Sequence, residues 1–238
     1  MQVPNYSAEI ARHYLAYRPP LHALILEKCL KGKRIFQYGL DIGAGTGQST
    51  IALSKYCLKV TGLEPSLDML AQAIQKAGVS YKQYDGKKIP FRDDLFDIIT
   101  FAGSLNYAKS QRTLDEVIRV SSDSALIIIY DFEIKLDQIF DHIGYPPVEA
   151  YDHRADFEDL DSTRIYKQDG SVASIAFKVS PADLAHLILS EQSSFRFFST
   201  KYEQDDPYPP LLEHLLVSES DPVTLTATLF ITLYQLIV

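Results

Sequence analysis

Leu40-Asp41-Ile42-Gly43-Ala44-Gly45-Thr46-Gly47-Gln48 carries the clearest structural signal in the chain. An apolar strand ends in an acid, and three alternate glycines then open a helix. Glycine is needed where backbone turns with positive φ or must approach a ligand closely. A loop in this place lies at the carboxyl end of the first strand, where open α/β sheets bind cofactors. The helix N-terminus beyond it favours a negative group. The dinucleotide fingerprint GxGxxG requires glycine at its third position, and Gln48 stands there instead.

Working outward, strands alternate with helices. Ser7–Tyr17 and Leu21–Leu30 read as helices separated by Pro19–Pro20. Strands are expected over 34–41, 58–64, 79–84, 96–101 and 125–130, with helices over 48–55, 66–76 and 110–120 between them. Ser66 is the expected N-cap of the 66–76 helix, with Gly78 just past its end. Alternation of this kind predicts a parallel sheet covered by helices. Near-continuous apolar runs such as ALIIIY fit strands buried on both faces. After Tyr130 periodicity weakens, and residues 131–179 read as a polar lid inserted after the fifth strand. Ser180–Ser190 reads as a capped helix, a further short helix lies near Leu211–Val217, and strands are expected at Phe195–Tyr202 and Thr224–Ile237.

An acid also ends the second strand. Glu64, in GLEPSLDML, can accept hydrogen bonds from both hydroxyls of a ribose, a bidentate task that suits a carboxylate. The third strand ends in Tyr84-Asp85-Gly86. The GxGxG turn preceded by Asp41, the acids Glu64 and Asp85, and the link Ile89-Pro90-Phe91 into Leu95-Phe96-Asp97-Ile98-Ile99 together resemble the class I methyltransferases that use S-adenosylmethionine (SAM). The N-terminal Tyr6…Tyr14-Leu-Ala-Tyr17-Arg18-Pro19 resembles the "YxxYRP" entry of small-molecule members. The resemblance covers roughly residues 6–130.

That resemblance implies an α/β fold: a doubly wound, mostly parallel seven-stranded sheet whose last strand is antiparallel, with N-terminal helices and a lid after strand five. It implies one domain over residues 1–238, divided into a SAM-binding core (31–130), a lid and substrate region (131–194) and a C-terminal hairpin (195–238). The implied cofactor set is Tyr14, Tyr17, Arg18, Asp41, Gly43, Ala44, Gly45, Gly47, Glu64, Pro65, Met69, Asp85, Gly86, Ala102 and Gly103. In it Arg18 pairs with the carboxylate of the cofactor's methionine tail. Asp85 takes the adenine amine, and Met69 packs near the adenine.

The catalytic groups are less specified. Methyl transfer from a sulfonium has a good neutral leaving group, so holding the methyl and the nucleophile in line is the main task. A base is needed only where the nucleophile carries a proton. After strand four the chain reads Ala102-Gly103-Ser104-Leu105-Asn106-Tyr107. Many relatives with protonated acceptors carry histidine near the end of this segment; Asn106 stands there and can only orient. Ser104 and Asn106 are therefore expected to position the acceptor. Any base must come from the lid, where His142, Tyr145, His153 and His186 are candidates. The other option is a carboxylate acceptor that needs no base, with Arg154 and Arg164 holding a second acid group on the substrate.

Composition limits the partners. The 23 basic and 31 acidic residues give a net charge of −8, which disfavours nucleic acid and anionic membranes. The Asn/Asp-Pro-Pro-aromatic loop of nucleic-acid amino methyltransferases is also missing. Two cysteines, Cys29 and Cys57, are too few for a disulfide framework, and no metal site is expected. No secretory signal is visible at the N-terminus, and Pro222–Val238 alternates like a strand. A cytoplasmic monomer or homodimer acting on a small molecule is expected. The alternatives are a SAM-binding protein without turnover and an NAD-dependent oxidoreductase.

Overall fold

The computed structural model describes residues 8–33, 35–149 and 151–237, so Tyr6, Ser7 and Arg34 lie outside the described residues. The chain divides into two compact units. The larger comprises Pro20–Glu133, Asp152–Ala173 and Leu229–Val238; the smaller comprises Met1–Pro19, Ile134–Tyr151 and Ser174–Thr228.

Seven strands form one sheet in the order β3-β2-β1-β4-β5-β7-β6, with β7 antiparallel. They are β1 (Phe36–Ile42), β2 (Cys57–Glu64), β3 (Val79–Gln83), β4 (Phe96–Ala102), β5 (Ser121–Lys135), β6 (Ile165–Val179) and β7 (Val223–Leu236). The strand order reverses between β1 and β4, which puts the topological switch point there. β1 pairs in parallel with both β2 and β4, Asp41 lying opposite Gly62 on one side and Thr100 on the other. Ala102 lies opposite Tyr130 on β5, so the strands end together at one edge.

Leu40, Ile42, Ile99, Phe101, Ile127 and Ile129 are buried in one cluster of the larger unit. Full burial of each such side chain contributes roughly 1.5–3 kcal/mol. Phe157 joins the cluster: its ring stands edge-on to Phe101 at 5.8 Å, and its N–H donates to the Tyr234 hydroxyl at 3.0 Å. The segment before β6 is thereby anchored to the sheet.

Caps define the helices that flank the strands. Ser66 accepts from Met69 N at the start of α4 (Leu67–Ala71), and Ser110 accepts from Thr113 N before α6 (Gln111–Val120). In the smaller unit Ser180 caps α8 (Pro181–Leu189), with proline in its first turn.

Three expectations need correction. Phe195–Tyr202 is no strand; it lies in helix α9 (Gln192–Tyr202). Its aromatic residues 195, 197, 198 and 202 suit a strand by type, but Phe198 is buried while Phe197 and Tyr202 are half-buried, as on one face of a helix. The sixth strand is instead Ile165–Val179, inside the stretch read as an aperiodic lid. Its burial alternates, yet the covered positions are mostly only half-buried, so the apolar signal is faint. The helix expected over 66–76 stops at Ala71. Beyond it the Ile74 N–H donates to Thr46 O at 3.1 Å, and the Tyr81 hydroxyl donates to Ile74 O at 2.9 Å. These bonds draw the chain onto the glycine loop instead of into another helical turn.

Candidate active site

The glycine turn between β1 and α3 (Gln48–Leu53) is held from three sides, all within the larger unit. Asp41 is fully buried. Its Oδ2 accepts from Ser49 Oγ and Thr50 Oγ1, each at 2.6 Å, and its Oδ1 accepts from Thr100 Oγ1 at 2.7 Å. Burial pushes its carboxyl pKa up, and these three hydroxyls act against that rise. Asp41 thus ties the loop, the helix start and β4 together from beneath.

The three glycines of the turn do not share one task. Gly43 has φ +79°, and a Cβ there would lie 2.4 Å from Ser104 Cβ. A Cβ on Gly47, φ +92°, would lie 2.1 Å from the Tyr81 hydroxyl. Gly45, at φ +54°, differs: the space its Cβ would enter is open to 4 Å. Packing excludes side chains at 43 and 47, whereas Gly45 leaves an open cradle at the carboxyl end of β1.

Glu64 closes the other wall. It is 8 % exposed, accepting from Gly45 N on Oε2 and from Ser66 N on Oε1, each at 3.0 Å. A carboxylate has about four lone-pair sites, so two backbone bonds leave acceptor capacity for hydroxyls. Gly86, φ +79°, likewise faces open space after β3. An open cradle beside a strand-end carboxylate at the switch point fits a ribose-bearing cofactor.

The methyltransferase-domain family matches residues 40–129, the span from β1 through β5. Over this segment the chain is similar to the class I SAM-dependent methyltransferases. The cofactor that goes with that family is S-adenosylmethionine. A Dictyostelium discoideum protein assigned as a methyltransferase is 29 % identical over 127 residues, 52 % of this chain and 47 % of that one. The demethylmenaquinone methyltransferase of Mycobacterium bovis is 31 % identical over 102 residues, covering 42 % of this chain and 43 % of that protein. The chain thus spans less than half the length of the curated relatives it matches. A solved structure from Anaeromyxobacter dehalogenans, assigned as a type II methyltransferase, shares the fold: TM-score 0.66 at 16 % identity, over 91 % of this chain and 97 % of that one.

The methyltransferase segment also holds the post-β4 residues. Gly103 N–H donates to Tyr130 O at 2.8 Å, and the Ser104 hydroxyl donates to the Ile42 carbonyl. Ser104 is therefore committed to joining β4 to β1 across the switch point. Asn106 stands exposed on the short helix α5 (Leu105–Ala108), one residue before the exposed Tyr107. Pro65 is exposed and accepts from Gln83 Nε2; Met69 is half-buried on α4; Ala44 is buried and Ala102 half-buried. Asp85 is exposed and pairs with Lys87 at 3.1 Å, which lowers its carboxyl pKa.

The remaining expected residues lie in the smaller unit. There the Arg18 guanidinium sits 3.1 Å from the centroid of the Tyr14 ring, a close cation–π stack. Burial, with Asp183 nearby, raises the Tyr17 hydroxyl pKa. His142 Nδ1 lies 2.8 Å from Glu219 Oε1 at an exposed site. Tyr145 packs in an aromatic cluster with Phe140, Phe197 and Phe198. His186 pairs with His13. Each of these three lid candidates has a structural setting of its own.

His153 differs, because it belongs to the larger unit and meets an acid from β5. Its Nδ1 is 2.8 Å from Asp131 Oδ2. Asp131 was legible as a strand-end acid, the same signal that marked Asp41 and Glu64, but the apolar run before it ends at Tyr130 and masks the strand's continuation to Lys135.

Among the described residues no helix is long and apolar enough to cross a membrane, and no group of three or more His, Cys, Asp or Glu could hold a metal.

Proposed function

We propose that this chain transfers a methyl group from SAM to a small-molecule acceptor. The observation that carries the reading is the Gly45 cradle facing the Glu64 carboxylate at the β1/β4 switch point. Glu64 would hold the ribose hydroxyls, Gly43–Gly47 would let the backbone approach, and Asp85 with Gly86 would border the adenine. When bound, SAM supplies an electrophilic methyl on a positively charged sulfur. The protein's own contribution is then to hold the acceptor in line and exclude water, and positioning alone supplies roughly 7–11 kcal/mol in favourable cases.

The acceptor is a small molecule, in keeping with the −8 charge and with relatives such as the demethylmenaquinone methyltransferase. Of the two arginines expected to hold a second acid group on a carboxylate acceptor, Arg154 binds Asp152 through Nε and Nη2 at 2.9 and 3.1 Å. An NAD-dependent oxidoreductase has only the open strand-end site in its favour, against Gln48. Mass-spectrometric detection of S-adenosylhomocysteine, formed from SAM in the presence of small phenols, amines and carboxylic acids, tests the reading. Product that vanishes in Glu64→Ala supports it; SAM bound but never consumed supports a binding protein without turnover.

A further inference from the structure

A second polar constellation lies in the larger unit, next to the turn that follows β4. Asp131 sits on β5, one residue past Tyr130, which pairs with Ala102. Its Oδ1 accepts from Phe132 N at 2.8 Å, and its Oδ2 faces His153 Nδ1 at 2.8 Å. A Cβ built on Gly103 would lie 3.2 Å from Asp131 Oδ1, so the carboxylate packs against the switch-point turn. Phe230 on β7 stacks on the His153 ring, nearly parallel, at 5.5 Å. Downstream, Phe157 anchors the same segment in the core. The imidazole is thereby oriented by a carboxylate, a ring and a buried anchor.

Its side faces a cavity of about 160 Å³ lined by Tyr130, Asp131, His153, Lys167, Phe230 and Thr232, with Arg154 also bordering it. That volume is close to the roughly 150 Å³ that holds one benzene ring in an engineered protein cavity. The two cations at its border are matched. Lys167 pairs with Asp156 at 3.4 Å and Glu158 at 3.0 Å, and Arg154 pairs with Asp152. An anionic acceptor therefore meets no uncompensated cation among the residues bordering the cavity, and it meets Asp131 besides. A neutral ring bearing a hydroxyl meets an aromatic wall and an oriented imidazole.

Resting on the methyl-transfer reading above, we infer that the acceptor is a phenol and that His153, oriented by Asp131, is the base that takes its proton. With the Nδ1 proton directed at the carboxylate, the neutral ring's lone pair is on Nε2. In the step, the phenol oxygen forms a bond to the methyl carbon while the carbon–sulfur bond breaks and its electron pair stays on sulfur. The phenol proton goes to His153 Nε2 and then to solvent. The products are an aryl methyl ether, S-adenosylhomocysteine and one proton. His153 is the catalytic residue and Asp131 the positioning residue.

The test uses the full chain with phenol and catechol as probes and benzoate as the contrast. Phenol or catechol yields S-adenosylhomocysteine and benzoate does not. His153→Gln lowers the single-turnover rate by about a hundredfold or more, the lower end for a general base, while S-adenosylhomocysteine affinity measured by calorimetry stays within about twofold. Asp131→Asn lowers kcat by about tenfold or more with KM little changed, because the wrong tautomer is presented. Nitrogen-15 spectra report the Nδ1–H tautomer for His153 in the wild type and a shift away from it in Asp131→Asn, without any acceptor present. Methylation of benzoate at a rate untouched by His153→Gln overturns the inference. So does the absence of product from both phenols in a protein that binds SAM, or an Nε2–H tautomer. A wild-type protein that does not bind SAM fails at the underlying reading instead.

Discussion

The Gly45 N–H donates to Glu64 Oε2 across 3.0 Å, joining the turn after β1 to the end of β2. This bond sets the opening between the cradle and the carboxylate. Glu64→Ala removes both the acceptor for a ribose and a brace of the loop. SAM affinity should fall by at least about 1.5 kcal/mol, the lower end for hydrogen bonds to a charged group. Isothermal titration with S-adenosylhomocysteine reads this directly; unchanged affinity would return Glu64 to a purely structural role.

Gly45→Ala separates binding from folding. A residue other than glycine at φ +54° costs about 1–2 kcal/mol of stability, and nothing within 4 Å obstructs the new methyl. The folded variant should therefore persist with a modest drop in melting temperature. Its methyl projects into the cradle, and cofactor affinity should fall by about tenfold or more, equivalent to 1.4 kcal/mol. Unchanged cofactor affinity in the folded variant would mean that the open space is not where the ligand sits.

Thr100→Val keeps shape and removes one donor to the buried Asp41 carboxylate. Loss of one of the three hydroxyls on this buried carboxyl group should cost about 1–3 kcal/mol in urea unfolding. The slope of the transition should not change. A neutral outcome would show that Asp41 is held mainly by Ser49 and Thr50.

In the smaller unit, acid should weaken the fold through His13. Its ring is buried, Nδ1 to Nδ1 with His186 at 2.8 Å, and Tyr208 stacks on both rings. One Nδ1 must accept while the other donates, so the two rings cannot both be imidazolium at this distance. Burial, then the charge of His186 and of Arg12, lowers the His13 pKa to about 4, with Asp206 acting the other way. The unfolded chain takes up this proton near pH 6.5 and the native chain only near 4, so stability falls as pH drops between those values. Melting temperature against pH should decline through that window, and His13→Phe should flatten the decline.

Much of the cofactor-binding half was legible because each of its elements is governed by local rules. The apolar run before Asp41, the alternate glycines, and the serine at position 66 act over a few residues. The second half hides its structure for physical reasons. β6 presents a half-exposed strand whose outward side chains dilute the alternation. α9 carries aromatic residues that suit either class, and tertiary packing of Phe198 decides. The His153–Asp131 pair spans 22 residues and two elements, so nothing local marks it. Of four lid candidates equal in sequence, only contact with β5 distinguishes His153.

Binding of SAM at the β1/β4 switch point can be measured directly. Calorimetric titration of the purified chain with S-adenosylhomocysteine, alongside NAD under the same conditions, tests it most directly. One site of micromolar affinity, about −8 kcal/mol, is expected, with no heat of binding for NAD. Saturable NAD binding with none for S-adenosylhomocysteine would contradict it.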